Sequence, residues 1–179
     1  MRITGTTLAG VNVVDADVHR DERGEFWRSY CRVELAGAGV MFDVHQSNVS
    51  VNRFMHTLRG FHFQRPPSAE QKILTVITGS AHVVIVDVRT DSSTFLAHES
   101  FVLGVGDRRS LVVADGCATG FLTLADDTIV HYQMGDVYRP KSYAGFRFDD
   151  PAIGVEWPAE PRVISDRDAG FRPLDPASP

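Results

Sequence analysis

The chain has 179 residues, 43% of them apolar, which suits one domain with a real core. Its longest apolar runs, such as "HVVIVDV" at 82–88, fall far short of the ~20 residues that span a bilayer. A formal charge of −5 argues against nucleic-acid binding, so any attraction for an anion must be local.

The opening "MRITGTTLAGVNVVD" has one arginine, then polar residues and no sustained apolar core. No signal peptide is expected, and the protein is read as soluble and cytoplasmic. "SYCRVELAGAG" (29–39) suggests a short turn of helix. Elsewhere the period is two. "LRGFHFQ" (58–64) reads as a strand that must end at "RPPS", because proline removes a ladder donor. "KILTVITG" (72–79) and "AHVVIVDVRT" (81–90) are β-branched runs joined at Gly79-Ser80, a turn signal. "SFVLGVGDRRSLVVADGCATGF" (100–121) adds short strands between glycine turns, and "FLTLADDTIVHYQM" (121–134) reads as a second hairpin about Ala125-Asp126-Asp127. The proline-rich tail after Trp157-Pro158 is expected to lie over the body, with its last few residues frayed. Strands recurring without long helices between them predict an antiparallel sandwich or barrel.

Alternation decides which side chains share a face. His62 and Gln64 point one way, Phe61 and Phe63 the other; Arg59 joins the His62 face only if the strand twists at Gly60. Val130, Tyr132 and Met134 share a second face. Taken singly, each polar residue has an ordinary reading. His62 is a structural histidine, Tyr132 a core tyrosine, Arg59 and Lys72 solvated charges, Asp166 and Asp168 turn residues. The seven histidines include no HxH pair, so three convergent metal ligands are not expected. Cys31 and Cys117 lie far apart and read as buried free thiols. No GxSxG, P-loop or GxGxxG pattern is present.

Nine ordered blocks carry a family resemblance: "DERGEFWRSY", "HQSNVSVN", "LRGFHFQ", "EQKILTVITG", "VDVRTDSSTF", "GFLTL", "DVYRPKS", "DDPAIGVEWP" and "ISDRDAG". Together they resemble the dTDP-4-dehydrorhamnose 3,5-epimerase family. The resemblance implies an all-β, cupin-type jelly roll (a double-stranded β-helix) with short peripheral helices, forming one domain over residues 1–179. It implies a homodimer with exchanged N-terminal strands, no catalytic metal and no cofactor. The substrate would be a nucleotide-linked 4-keto-6-deoxyhexose, with dTDP as carrier. Epimerisation beside a ketone needs a base, an electrophile for the enolate, and an acid on the opposite face. The resemblance assigns these to His62, oriented by Asp168, to Lys72 and to Tyr132. It assigns the diphosphate to Arg23 and Arg59, the base to Phe26 and Tyr138, and the lining of the site to Gln46 and Asn48.

The chain departs from the family at "GCATGF", where "GFAHGF" is common, so Thr119 replaces a histidine. His19, Arg28 and Tyr143 also differ from the usual residue types, at positions expected near the nucleotide end. Threonine is no base, but it can hydrogen-bond a sugar hydroxyl or ketone. Epimerisation at C3 alone or C5 alone therefore stands beside the 3,5 reaction. A keto-sugar isomerase and a non-catalytic sugar-nucleotide binder are the remaining readings.

Overall fold

β-Branched and aromatic residues recur here with period two between glycine, proline and Asp/Asn breaks, and strands follow from that pattern. The computed structural model describes residues 1–177, so the fraying expected at 178 and 179 lies outside the described residues. In chain order the strands are β1 (Arg2–Gly5), β2 (Asn12–Asp15), β3 (Val18–Asp21), β4 (Gly24–Trp27), β5 (Gln46–Asn52), β6 (Leu58–Gln64), β7 (Lys72–Thr78), β8 (Ser80–Asp87), β9 (His98–Gly104), β10 (Arg109–Val113), β11 (Cys117–Thr123), β12 (Thr128–Met134) and β13 (Tyr143–Gly145). Helix α1 (Arg32–Gly37) fits the predicted helical turn, and α2 (Asp166–Ala169) is a single turn in the tail.

Two antiparallel sheets face each other. One has six strands in the order β1-β2-β10-β7-β12-β5, the other five in the order β13-β6-β11-β8-β9; β3 and β4 form a separate hairpin. From β5 onward the chain crosses between sheets at almost every connection, staying in one sheet only for β8–β9. This winding is the cupin-type jelly roll. It corrects two expectations. The strands about Gly79-Ser80 and those about 125–127 are not hairpin partners, because β7 and β12 pair with each other while β8 pairs with β11. The turn signals were real, but each turns the chain onto the opposite sheet. At Gly79 the backbone has φ +75, and a Cβ would sit 2.4 Å from the Thr128 hydroxyl, so glycine is needed there.

Alternation sorts the core into three layers. Leu74, Val76, Val83, Ile85, Leu111 and Val113 fill the space between the sheets. Phe61, Phe63, Val84, Val86 and Phe146 pack beneath the C-terminal segment, where Phe61 stacks on Phe146 at 4.8 Å. Ile73, Val112 and Val14 lie on the outer face under Leu35 of α1. The tail does more than cover the body. Leu174 enters the second layer, and a parallel bridge joins Thr57 to Val163. Cys117 is buried, and burial pushes its thiol up to about 12; Cys31, expected to be buried, is only partly covered.

Strand β6 carries the irregularity that matters most. Thr119 lies opposite His62 and Phe121 opposite Arg59, so two residues of β6 face one of β11. That is a β-bulge at Gly60-Phe61, and it brings Arg59 and His62 to the same face three residues apart. Gly60 has φ +121, and a Cβ there would meet the Gly120 Cα at 2.5 Å. Gly60→Ala should cost about 3 kcal/mol or more. Thermal melting would read this as a drop on the order of 6–12 °C; an unchanged midpoint would show that the bulge tolerates a side chain.

Candidate active site

The bulged strand turns Arg59 and His62 into the space between the sheets, beside Thr119 and Phe121 of β11. The opposite wall comes from the six-stranded sheet. Lys72 and Leu74 lie on β7, Tyr132 and Met134 on β12, Gln46 and Asn48 on β5. Register fixes this wall: Tyr132 lies opposite both Asn48 and Leu74, and Met134 opposite both Gln46 and Lys72. Tyr138 and Tyr143 close the rim of a cavity of about 490 Å³, a size suited to a small-molecule ligand.

His62 is anchored from the tail. Ser165 caps the single turn α2 by accepting from the Asp168 N–H at 3.1 Å. The Asp168 carboxylate then reaches back into the barrel, accepting from His62 Nε2 at 2.8 Å and from the Gly60 N–H at 3.2 Å. Burial pushes that carboxyl up, but the bonds from His62 and Gly60 prevail and hold it below its ordinary value. With Nε2–H donated to Asp168, His62 Nδ1 is the free basic nitrogen. The ring keeps 28% of its side-chain surface exposed, whereas Asp168 keeps 6%.

Lys72 is buried rather than solvated. Its ammonium donates to the Glu70 carboxylate at 2.9 Å, the His62 carbonyl at 3.0 Å and the Thr119 hydroxyl at 3.1 Å. Arg59 donates from Nε to the Asn52 side-chain carbonyl at 2.8 Å. Its partner is neutral, so its charge remains available to an anion. Burial raises the Tyr132 phenol above its usual value, with Arg59 pulling the other way. Burial likewise pushes Tyr143 up to about 12, against a hydrogen bond from Arg167. The Tyr143 ring lies 5.5 Å from the His62 ring and 5.8 Å from that of Tyr138.

The structure thus brings together His62, Lys72, Tyr132, Asp168, Gln46, Asn48, Arg59, Thr119 and Tyr138. Two expected residues do not join them within the chain. Arg23 and Phe26 sit on the β3–β4 hairpin around a separate concavity, where Arg23 pairs with Asp21 at 2.6 Å and Phe26 is 72% exposed. His19 lines that same concavity, and Arg28 pairs with Glu34 at 2.7 Å. Glu70 and Asn52 escaped the sequence reading, and Gln64 was placed on the His62 face without a role. Glu70 precedes β7, so strand alternation could not assign it a face. Tyr143 was legible only as a departure from the family. Among the described residues, no group of three or more His, Cys, Asp or Glu side chains could hold a metal ion.

A jelly roll with a ligand-sized cavity between its sheets, lined by aromatic and apolar side chains around a buried lysine and a carboxylate-held histidine, defines a cupin-type protein built around a small-molecule site. The sequence model for dTDP-4-dehydrorhamnose 3,5-epimerase matches residues 5–175. The chain belongs to the dTDP-4-dehydrorhamnose 3,5-epimerase family. It is 34% identical over 176 residues to the dTDP-4-dehydrorhamnose 3,5-epimerase of Methanothermobacter thermautotrophicus, covering 97% of this chain and 94% of that protein. Among solved structures it resembles the Bacillus anthracis enzyme with TDP and PPi bound, at a TM-score of 0.93 and 33% identity, covering 97% and 99% of the two chains. It also resembles ChmJ, a 3'-monoepimerase from Streptomyces bikiniensis in complex with dTDP-quinovose, at a TM-score of 0.88 and 27% identity, covering 95% and 86%.

The depressed Asp168 carboxyl has a consequence for stability. Its contribution is complete above the unfolded value of about 4 and is lost as pH falls through the lower folded value. Urea midpoints measured from pH 2 to pH 6 (about the range in which carboxylates titrate) should fall on acidification. Asp168→Asn should flatten that limb; identical slopes would contradict the pairing. Nitrogen NMR at neutral pH should find the proton of neutral His62 on Nε2.

Proposed function

We propose that this chain inverts C3 and C5 of a dTDP-linked 4-keto-6-deoxyhexose. The observation that carries the reading is one cavity with His62 on one sheet and Tyr132 and Lys72 on the other. Protons must leave and arrive on opposite faces of a hexose ring, and the two sheets offer opposite walls.

His62 Nδ1 takes the proton from the carbon beside the ketone. The C–H electron pair becomes the enolate, whose charge gathers on the ketone oxygen. The Lys72 ammonium stabilises that oxygen, which acidifies the C–H bond. Tyr132 returns a proton to carbon from the far side. Its raised pKa keeps the phenol protonated until a strong base, the enolate carbon, draws on it. Asp168 fixes the His62 tautomer and steadies the imidazolium. After the first inversion the His62 imidazolium gives its proton to solvent and the Tyr132 phenolate takes one back from solvent, and the reset pair repeats the cycle at the second carbon to give double inversion. Every step moves a proton rather than a hydride, so the reaction calls for no redox cofactor. Arg59 meets the diphosphate, Tyr138 the base, and Gln46 and Asn48 the sugar.

Arg23 and Phe26 fit this scheme as residues lent to a neighbouring copy. The β3–β4 hairpin stands apart from both sheets, held by Arg108, which pairs with Glu25 at 2.5 Å and lies over the Trp27 ring at 4.5 Å. β2 pairs with β10 of its own chain and β1 pairs with β2, so exchange in a homodimer would involve the hairpin. Val49 and Val51, 63% and 57% exposed on edge strand β5, give a second copy apolar surface to cover. The whole chain, residues 1–179, is read as one such domain. The cytoplasm suits its two free thiols.

A second reading, inversion at one carbon only, is favoured by Thr119. A hydroxyl bonded to Lys72 stands beside His62, and ChmJ, to which this chain is similar, is a 3'-monoepimerase.

Incubation with dTDP-4-keto-6-deoxyglucose in deuterium oxide tests both. Label at C3 and C5 is expected; label at one carbon selects the second reading, and tight binding without label would leave only a binder. His62→Ala should abolish exchange. Tyr132→Phe should spare proton removal more than inversion, and equal loss of both would mean that Tyr132 has another role. Light scattering should give twice the chain mass for the intact protein.

A further inference from the structure

One buried carboxylate in the cavity has no part in the proton transfers. Glu70 is 7% exposed, and its two oxygens are both engaged. One accepts from Lys72 at 2.9 Å, the other from the Gln64 amide at 2.5 Å. Gln64, itself 2% exposed, is fully committed at its other atoms. Its carbonyl oxygen accepts from the Arg139 N–H at 2.6 Å, and its amide also donates to the Val137 carbonyl at 3.3 Å. A single polar chain therefore runs from the Lys72 ammonium through Glu70 and Gln64 into the loop that bears Tyr138.

We infer that Glu70 is a positioning residue for Lys72, holding the ammonium in register with the Tyr138 loop so that nucleotide and ketone are met together. This rests on the epimerase reading above. A lysine ammonium is a compact charge on a flexible stem, and it points only where its partners hold it. Its other two partners, the His62 carbonyl and the Thr119 hydroxyl, both belong to the five-stranded sheet. Glu70 supplies the third bond from the loop before β7, and the only negative charge of the three. The fixed orientation of Gln64 admits only an acceptor at its amide end. A carboxylate alone can accept from Lys72 and Gln64 at once. In Glu70→Gln the new amide satisfies one of them and confronts the other with a donor.

The experiment follows deuterium exchange and inversion in the full-length protein with dTDP-4-keto-6-deoxyglucose. Glu70→Gln should lower kcat about 100-fold, as a displacement near 1 Å does. KM should stay within about threefold, because the binding contacts remain. On a Lys72→Met background, where residual exchange is integrated over long incubation, Glu70→Gln should cost nothing further, since its effect passes through the lysine. If Glu70→Gln does not fold, Glu70→Asp serves: it keeps the charge but is too short to reach both partners, and the same kcat loss is expected. A kcat within threefold of wild type, an equal further loss on the Lys72→Met background, or a loss confined to KM would each overturn the inference. Absence of exchange in the wild type would instead defeat the epimerase reading itself.

Discussion

A lysine ammonium buried between two sheets is the constraint around which this molecule is arranged. An isolated charge in such a place costs many kcal/mol unless it is paired and hydrogen-bonded. Each of the three Lys72 donors meets an oxygen, and each oxygen comes from a different piece of chain: β6, β11 and the loop before β7. Satisfying one ammonium thereby fixes the spacing of the two sheets and the conformation of that loop. Gln64 extends the requirement to the segment 137–139. The same bonds keep a positive charge inside a cavity where an incoming oxygen anion would find it. Stability and function draw on one set of contacts here.

The bulge at Gly60 is the second device. A regular strand would send Arg59 and His62 to opposite faces. One extra residue on β6 re-aims them into the same cavity while Phe61 and Phe63 remain in the layer behind. The freed Gly60 N–H then has a partner in Asp168, so the irregularity that positions the histidine also helps to seat its carboxylate. Distance along the chain is no obstacle, because Asp168 arrives on a capped turn more than 100 residues after His62.

The cavity also resolves how a chain of charge −5 can suit an anionic ligand. Glu70 balances the Lys72 charge locally, while the Asp168 carboxylate is engaged by the His62 ring and the Gly60 N–H, all at hydrogen-bond distance. Arg59 is held instead by the neutral Asn52 carbonyl, which fixes the guanidinium without cancelling its charge. Net charge sets solubility and long-range steering; the local pairing pattern decides what a pocket attracts.

The sequence alone determined the all-β character, most strand positions, the inward face of Val130, Tyr132 and Met134, and, through ordered motif blocks, the family and most of the residues that the fold gathers in one cavity. These follow from local rules: period-two alternation, turn residues and residue chemistry repeated in a fixed order. Only the tertiary structure decided which strands are neighbours. Gly79-Ser80 and residues 125–127 announce turns, but a turn signal carries no information on whether the chain folds back on its own sheet or crosses to the other. The bulge that does aim Arg59 with His62, the burial of Lys72 and the contacts of Glu70 were likewise closed to sequence. Each depends on atoms brought together from distant segments, and a linear pattern specifies which face a residue occupies, never what stands opposite it.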